Sequence, residues 1–77
     1  MGQPWGLMIK FENKNNGRFY YVYVSQDMLN DLVIRIVFGG VGVSRDRIIF
    51  CGNRKDIQKE IERITKRRLS RGYSIVT

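Results

Sequence analysis

The sequence predicts an α+β fold: a small antiparallel sheet of about four strands with one C-terminal helix packed on it. Three features carry that expectation. Side chains alternate with a period of two through 18–25 and again through 32–38, the repeat of β-strands. After Asn53 the period lengthens, and Ile57, Ile61 and Ile64 recur at four- and three-residue spacing, as in an amphipathic helix. The connections between the strand-like runs are too short to hold a crossover helix, so consecutive strands are expected to meander antiparallel.

Residues 5–11 read as the first strand. They lead into Glu12-Asn13-Lys14-Asn15-Asn16-Gly17, a turn rich in residues that tolerate left-handed backbone angles. In the second strand, 18–25, Phe19, Tyr21 and Tyr23 point one way and Tyr20, Val22 and Val24 the other, which predicts a central strand covered on both faces. A loop over 26–31 reverses the chain. In the third strand, 32–38, Leu32, Ile34, Ile36 and Phe38 share an apolar face, while Val33, Arg35 and Val37 share the other, with Arg35 toward solvent or a ligand. Phe38-Gly39-Gly40-Val41-Gly42 then reads as an open glycine turn where the backbone can approach another surface closely. A fourth strand follows over 47–51.

Gly52-Asn53 stops that strand and starts the helix, with Asn53 as N-cap and Asp56 three residues on in a pattern resembling a capping box. Opposite the isoleucine stripe, Lys55, Lys59, Arg63 and Lys66 form a solvent-facing basic ridge. Arg68 continues the stripe instead, its stem packing and its guanidinium reaching out at the helix end. Gly72 suits a left-handed C-cap, releasing 73–76 as a short tail or edge strand.

Seventy-seven residues make one domain, 1–77, with one modest core; a chain this short buries roughly 60 to 65 % of the surface its unfolded form exposes. The single Cys51 cannot form an internal disulfide, and beside Ile48-Ile49-Phe50 it reads as a small buried hydrophobe. That usage fits a reducing cytoplasm. No apolar run approaches the roughly 18 residues of a membrane span, and the first residues lack the charged start and apolar middle of a signal peptide. A cytoplasmic protein without a membrane partner is therefore expected. Fourteen Lys and Arg against seven Asp and Glu give a formal charge of +7. Eight of the basic residues stand between Arg54 and Arg71, against three acids, and so localised a field attracts polyanions, nucleic acid first.

Catalytic chemistry is not expected. The chain has no histidine, which removes the usual general base and the commonest zinc ligand, and one cysteine cannot build a thiolate metal site. Its seven carboxylates include no evident facing pair. The glycine run lacks the Gly-Lys-Ser/Thr ending of a phosphate-binding loop and has no helix directly behind it. No metal and no cofactor are implied.

The order of elements and three short motifs resemble the WGR domain, named for its Trp-Gly-Arg triplet. Arg18-Phe19-Tyr20 resembles that family's aromatic-bearing strand, Phe38-Gly39-Gly40-Val41-Gly42 its Trp-Gly-Arg-Val-Gly turn, and Arg68 with Gly72-Tyr73 the basic residue and Gly-Tyr that end its helix. The match runs from about Ile9 to Tyr73. The resemblance implies a small antiparallel sheet flanked by a helix and a role in binding nucleic acid, best known at DNA ends or breaks in poly(ADP-ribose) polymerases; the family also includes short bacterial proteins. Its triplet Trp stacks on a terminal sugar, and its triplet Arg and C-terminal Tyr lie near the phosphate, roles that fall here at Phe38, Gly40 and Tyr73. Phe38 keeps an aromatic face of smaller area, whereas Gly40 retains neither the charge nor the bidentate contacts of arginine.

The resulting expectation is a non-enzymatic nucleic-acid-binding module, for DNA ahead of RNA, that contacts phosphates with little base-specific readout. Its candidate residues are Lys59, Arg63 and Lys66 on the helix, Arg35, Arg45 and Arg47 around the glycine run, and Phe38, Gly39, Gly40 and Tyr73. Three features have a structural alternative: Phe38 as core, Tyr73 as completion of the helix cap, and the basic ridge as a solvated charged helix face. The alternative functions are an adapter that kept the fold and took an acidic protein partner, and a small regulator or inhibitor encoded by a mobile element.

Overall fold

The computed structural model describes residues 7–26 and 31–76, apart from the side chains of Phe50 and Cys51. The elements follow in the order β1 (Leu7–Asn13), β2 (Arg18–Gln26), β3 (Leu32–Gly40), β4 (Val43–Gly52), α1 (Arg54–Ser70) and β5 (Ser74–Val76). All strands pair antiparallel in one sheet of spatial order β4-β3-β2-β1-β5. This is the expected α+β architecture with a fifth strand: the tail after Gly72 takes the outer edge of β1, where Ile75 pairs with Phe11.

β2 is central, as its composition predicts. Among the described residues, however, only one of its faces is covered. Phe11, Val22, Val24, Leu32, Ile34 and Ile36 form the buried sheet face, and Ile57 and Ile64 of α1 close over them. On the opposite face Phe19, Tyr21 and Tyr23 remain half-exposed, because the single helix can cover only one side. The side chains there shelter one another instead. The Phe19 and Tyr21 rings are 4.9 Å apart, the Tyr21 hydroxyl donates to Glu12 at 3.1 Å, and the Lys10 ammonium lies 5.4 Å from the Tyr21 ring centre.

The glycine run is not an open turn. Gly39 and Gly40 belong to β3 and pair with Ser44 and Val43, leaving only Val41 and Gly42 to turn the chain, with Gly42 at φ 74°. β4 consequently starts at Val43 rather than 47, since pairing resumes directly after so tight a hairpin. β1 likewise continues to Asn13, whose carbonyl accepts from Gly17 N–H at 2.9 Å and whose Oδ1 accepts from Asn15 N–H at 3.0 Å. The expected strand start at Trp5, the middle of the 26–31 loop and the burial of Cys51 lie outside the described residues.

One irregularity decides where β4 points its side chains. Ile34 pairs with Phe50, but the next residue, Arg35, pairs with Ile48, so the register slips by one around Ile49. A slip of one residue reverses the alternation of everything beyond it. Arg47 and Arg45 therefore pair with Ile36 and Phe38 on the helix-bearing face, while Ile48 and Asp46 turn to the open face.

Both helix ends follow the sequence. Asn53 Oδ1 accepts from Asp56 N–H at 3.0 Å, the N-cap bond. At the other end Tyr73 N–H donates to the Arg68 carbonyl at 3.0 Å and Gly72 N–H to the Leu69 carbonyl at 3.2 Å, with Gly72 at φ 89°. These are the paired bonds of a Schellman cap, and they turn the chain sharply back toward β1. Asn13, itself buried, fastens the corner by donating from Nδ2 to the Arg71 carbonyl at 3.3 Å.

Candidate functional site

The Schellman cap ends α1 before it reaches the β3–β4 hairpin, so that end of the helix-bearing face is left open as a groove of about 480 Å³. Its floor is aromatic and its walls are cationic. Tyr20 of β2 and Phe38 of β3 are cross-strand partners whose rings lie 6.1 Å apart, both packed against the edge of the core. Around them stand Arg18, Arg45, Arg47 and Arg68, with Tyr73 at one side. No carboxylate lines this groove, and among the described residues none of these four arginines has an acidic partner.

The aromatic rings hold guanidinium groups. Arg68 lies over Tyr20 at 4.3 Å and beside Tyr73 at 5.2 Å, and Arg47 lies 5.8 Å from the Phe38 ring centre. A planar guanidinium seated on a ring keeps its edge N–H groups free for an oxyanion, in an orientation fixed in advance. Burial of its ring raises the Tyr20 phenol above its ordinary value, while the charges of Arg68 and Arg47 pull it back down. Tyr20 is thus neutral at ordinary pH and serves as the seat of Arg68.

The glycines shape the groove in two ways. A side chain at Gly39 would run into the Val43 carbonyl, so only glycine lets the β4 backbone come this close. Gly40 is different. A Cβ there would meet nothing nearer than Arg18 Cγ at 3.6 Å, an ordinary contact, so the absent side chain simply leaves the floor open.

Smaller grooves adjoin on either side, one reaching Arg63, Glu60 and Arg67 past Tyr20 and Arg47, the other reaching Arg71 and Asn16 past Arg18 and Tyr73. Arg68 belongs to all three. Seven of the nine arginines in the sequence line this continuous trough and none of the five lysines does.

Of the residues singled out from the sequence, Phe38, Gly39, Gly40, Arg45, Arg47 and Tyr73 converge here. The others do not. Arg35 faces the opposite side of the sheet and is paired with Asp46 at 2.6 Å. Lys59 and Lys66 stay on the exposed face of the helix, and Arg63 is held by both oxygens of Glu60 at 2.8 and 2.9 Å. The structural alternatives for Phe38 and Tyr73 turn out to be compatible with a place in the groove: each packs against the core with one part and lines the groove with another. Arg18, Tyr20 and Arg68 were not among the candidates. The place of Arg68 on the isoleucine stripe was the available signal, because a charged group there must lie against the sheet; the guanidinium settles on Tyr20 rather than reaching out to solvent.

No protein-family model, no curated protein and no solved structure matches this chain.

Proposed function

We propose that this protein is a non-enzymatic nucleic-acid-binding module, with DNA as the preferred partner, and that it holds the phosphate backbone in the arginine groove. The observation that carries this is the set of Arg18, Arg45, Arg47 and Arg68 around a carboxylate-free floor, with Arg68 and Arg47 lying 4.3 and 5.8 Å from the Tyr20 and Phe38 ring centres. Arginine matches the geometry of phosphate with paired N–H donors, and preorganised guanidiniums lose less freedom on binding. Because the guanidiniums already occupy the rings, base stacking is a minor contribution and sequence readout is weak. Arg18, Tyr20, Phe38, Gly40, Arg68 and Tyr73, from the three motifs that resemble a WGR domain, line the same groove, which supports the same partner class.

Binding to blunt duplex, circular duplex and single strands, titrated against salt, tests this. Four phosphates neutralised on duplex DNA give a log–log slope of roughly −3 to −4, at about −0.9 per phosphate. Replacing Arg45, Arg47 and Arg68 together by Gln should flatten the slope, while replacing Lys59 and Lys66 should leave most of it. Weak binding at physiological salt that these groove changes do not alter would contradict the proposal and favour the acidic-protein adapter.

A further inference from the structure

The sheet face away from α1 has a different character from the rest of the molecule. Strand pairing sets its side chains in level rows across β1, β2, β3 and β4: Met8, Tyr23, Arg35 and Ile48 in one, and Lys10, Tyr21, Val37 and Asp46 in the next. Ile48 is 69 % exposed and Met8 48 %. Among the described residues, the paired strands place two cations, Lys10 and Arg35, and two anions, Glu12 and Asp46, on this face, with Lys14 at its margin beside Glu12, so the strands are neutral there in a chain of charge +7. Both anions are engaged within the face, Asp46 by Arg35 and Glu12 by the Tyr21 hydroxyl. A polyanion is therefore drawn to the groove side and not to this one.

We propose that this face is the interface of a two-fold dimer of the chain. Two copies stacked sheet on sheet about an axis parallel to the strands bring β1 of one copy against the β3–β4 side of the other. Lys10 and Asp46 lie on the same row at opposite margins, so Lys10 of each copy then meets Asp46 of the second copy, and the contact is satisfied twice by symmetry. Met8 and Ile48 are related in the same way along their own row. Tyr21, Tyr23 and Val37 between these margins exclude water while Arg35 stays paired to Asp46, and the neutral face is where two strongly basic chains approach with least repulsion.

Four strands about 4.8 Å apart and some eight residues long, at about 3.3 Å each, present roughly 500 Å² in projection. That is somewhat below the roughly 800 Å² per partner of a standard interface, so the dimer dissociates within an accessible concentration range. It leaves the two arginine grooves on opposite outer surfaces, able to hold two polyanion segments at once.

Sedimentation velocity on the full chain, free of nucleic acid and run from low micromolar to millimolar concentration, tests this. The expected result is a shift from the 9.1-kDa monomer to twice that mass, not weakened by added salt, in contrast to polyanion binding. Ile48→Glu and Met8→Glu, both at exposed positions that leave folding intact by circular dichroism, should each raise the dimer dissociation constant about tenfold or more. Asp46→Lys should weaken the dimer, and adding Lys10→Asp should restore it. A monomer at every concentration, or a dimer indifferent to both glutamate variants, would overturn the proposal; a charge swap that fails to restore association would overturn the two-fold alignment.

Discussion

Phe38 joins the core and the groove in one side chain, and its truncation should register in both. A fully buried Phe→Ala change costs about 3 to 5 kcal/mol, so at this half-buried position Phe38→Ala should cost about 2 kcal/mol by thermal or denaturant unfolding. Removing the ring also frees Arg47, and affinity for duplex DNA should fall about tenfold. A loss of stability with unchanged affinity would reduce Phe38 to a core residue. The neighbouring glycines give opposite expectations for substitutions one residue apart. Gly39→Ala meets the Val43 carbonyl and should destabilise by more than about 1 kcal/mol. Gly40→Arg meets only the flexible Arg18 stem, so it should fold normally and steepen the salt slope by about 0.9. If the gain is larger for blunt than for circular duplex, the groove takes DNA ends; an equal gain places internal backbone there.

Helix α1 contributes to the groove chiefly through the way it stops. Gly72→Ala strains a backbone at φ 89° and presses on Asn13 Nδ2, 3.3 Å from the added carbon. It should cost more than about 1 kcal/mol of stability and weaken DNA binding too, because the same cap places Tyr73 beside Arg68. The cap itself was legible in the sequence, as were the N-cap at Asn53, the isoleucine stripe and the central place of β2, since each is written in local spacing. What local spacing does not contain is the slip at Ile49. Without it, a simple alternation through β4 gives Arg45 and Arg47 the wrong face, and only the pairing of β3 with β4 fixes it. The exposed helix ridge drew attention for the complementary reason: charge is visible in sequence, but whether a cation is free is not. Arg63 spends its charge on Glu60, while Arg18 and Arg68, less conspicuous in the chain, are unopposed.

At the scale of the whole molecule, charge is divided between two faces, a basic trough on the helix side and a neutral sheet face behind it. The trough has no titratable switch near neutrality, as the chain has no histidine, so affinity for DNA should stay flat from about pH 6 to about pH 9. Tyr20 contributes to the alkaline limit of stability. Its phenol is raised in the folded state, first by burial, so the unfolded chain loses this proton before the folded one does; stability is full below about pH 10 and falls as pH rises through the folded value. Thermal unfolding against pH checks the sign. The central claim, that polyanion binds in the arginine groove, is tested most directly by mapping backbone amide and Arg Nε–H resonances during titration with a short blunt duplex. The account predicts shifts concentrated at Arg18, Tyr20, Phe38, Gly39, Gly40, Arg45, Arg47, Arg68 and Tyr73. Shifts centred instead on Lys55, Lys59 and Lys66, or on Lys10, Tyr21 and Tyr23, would contradict it.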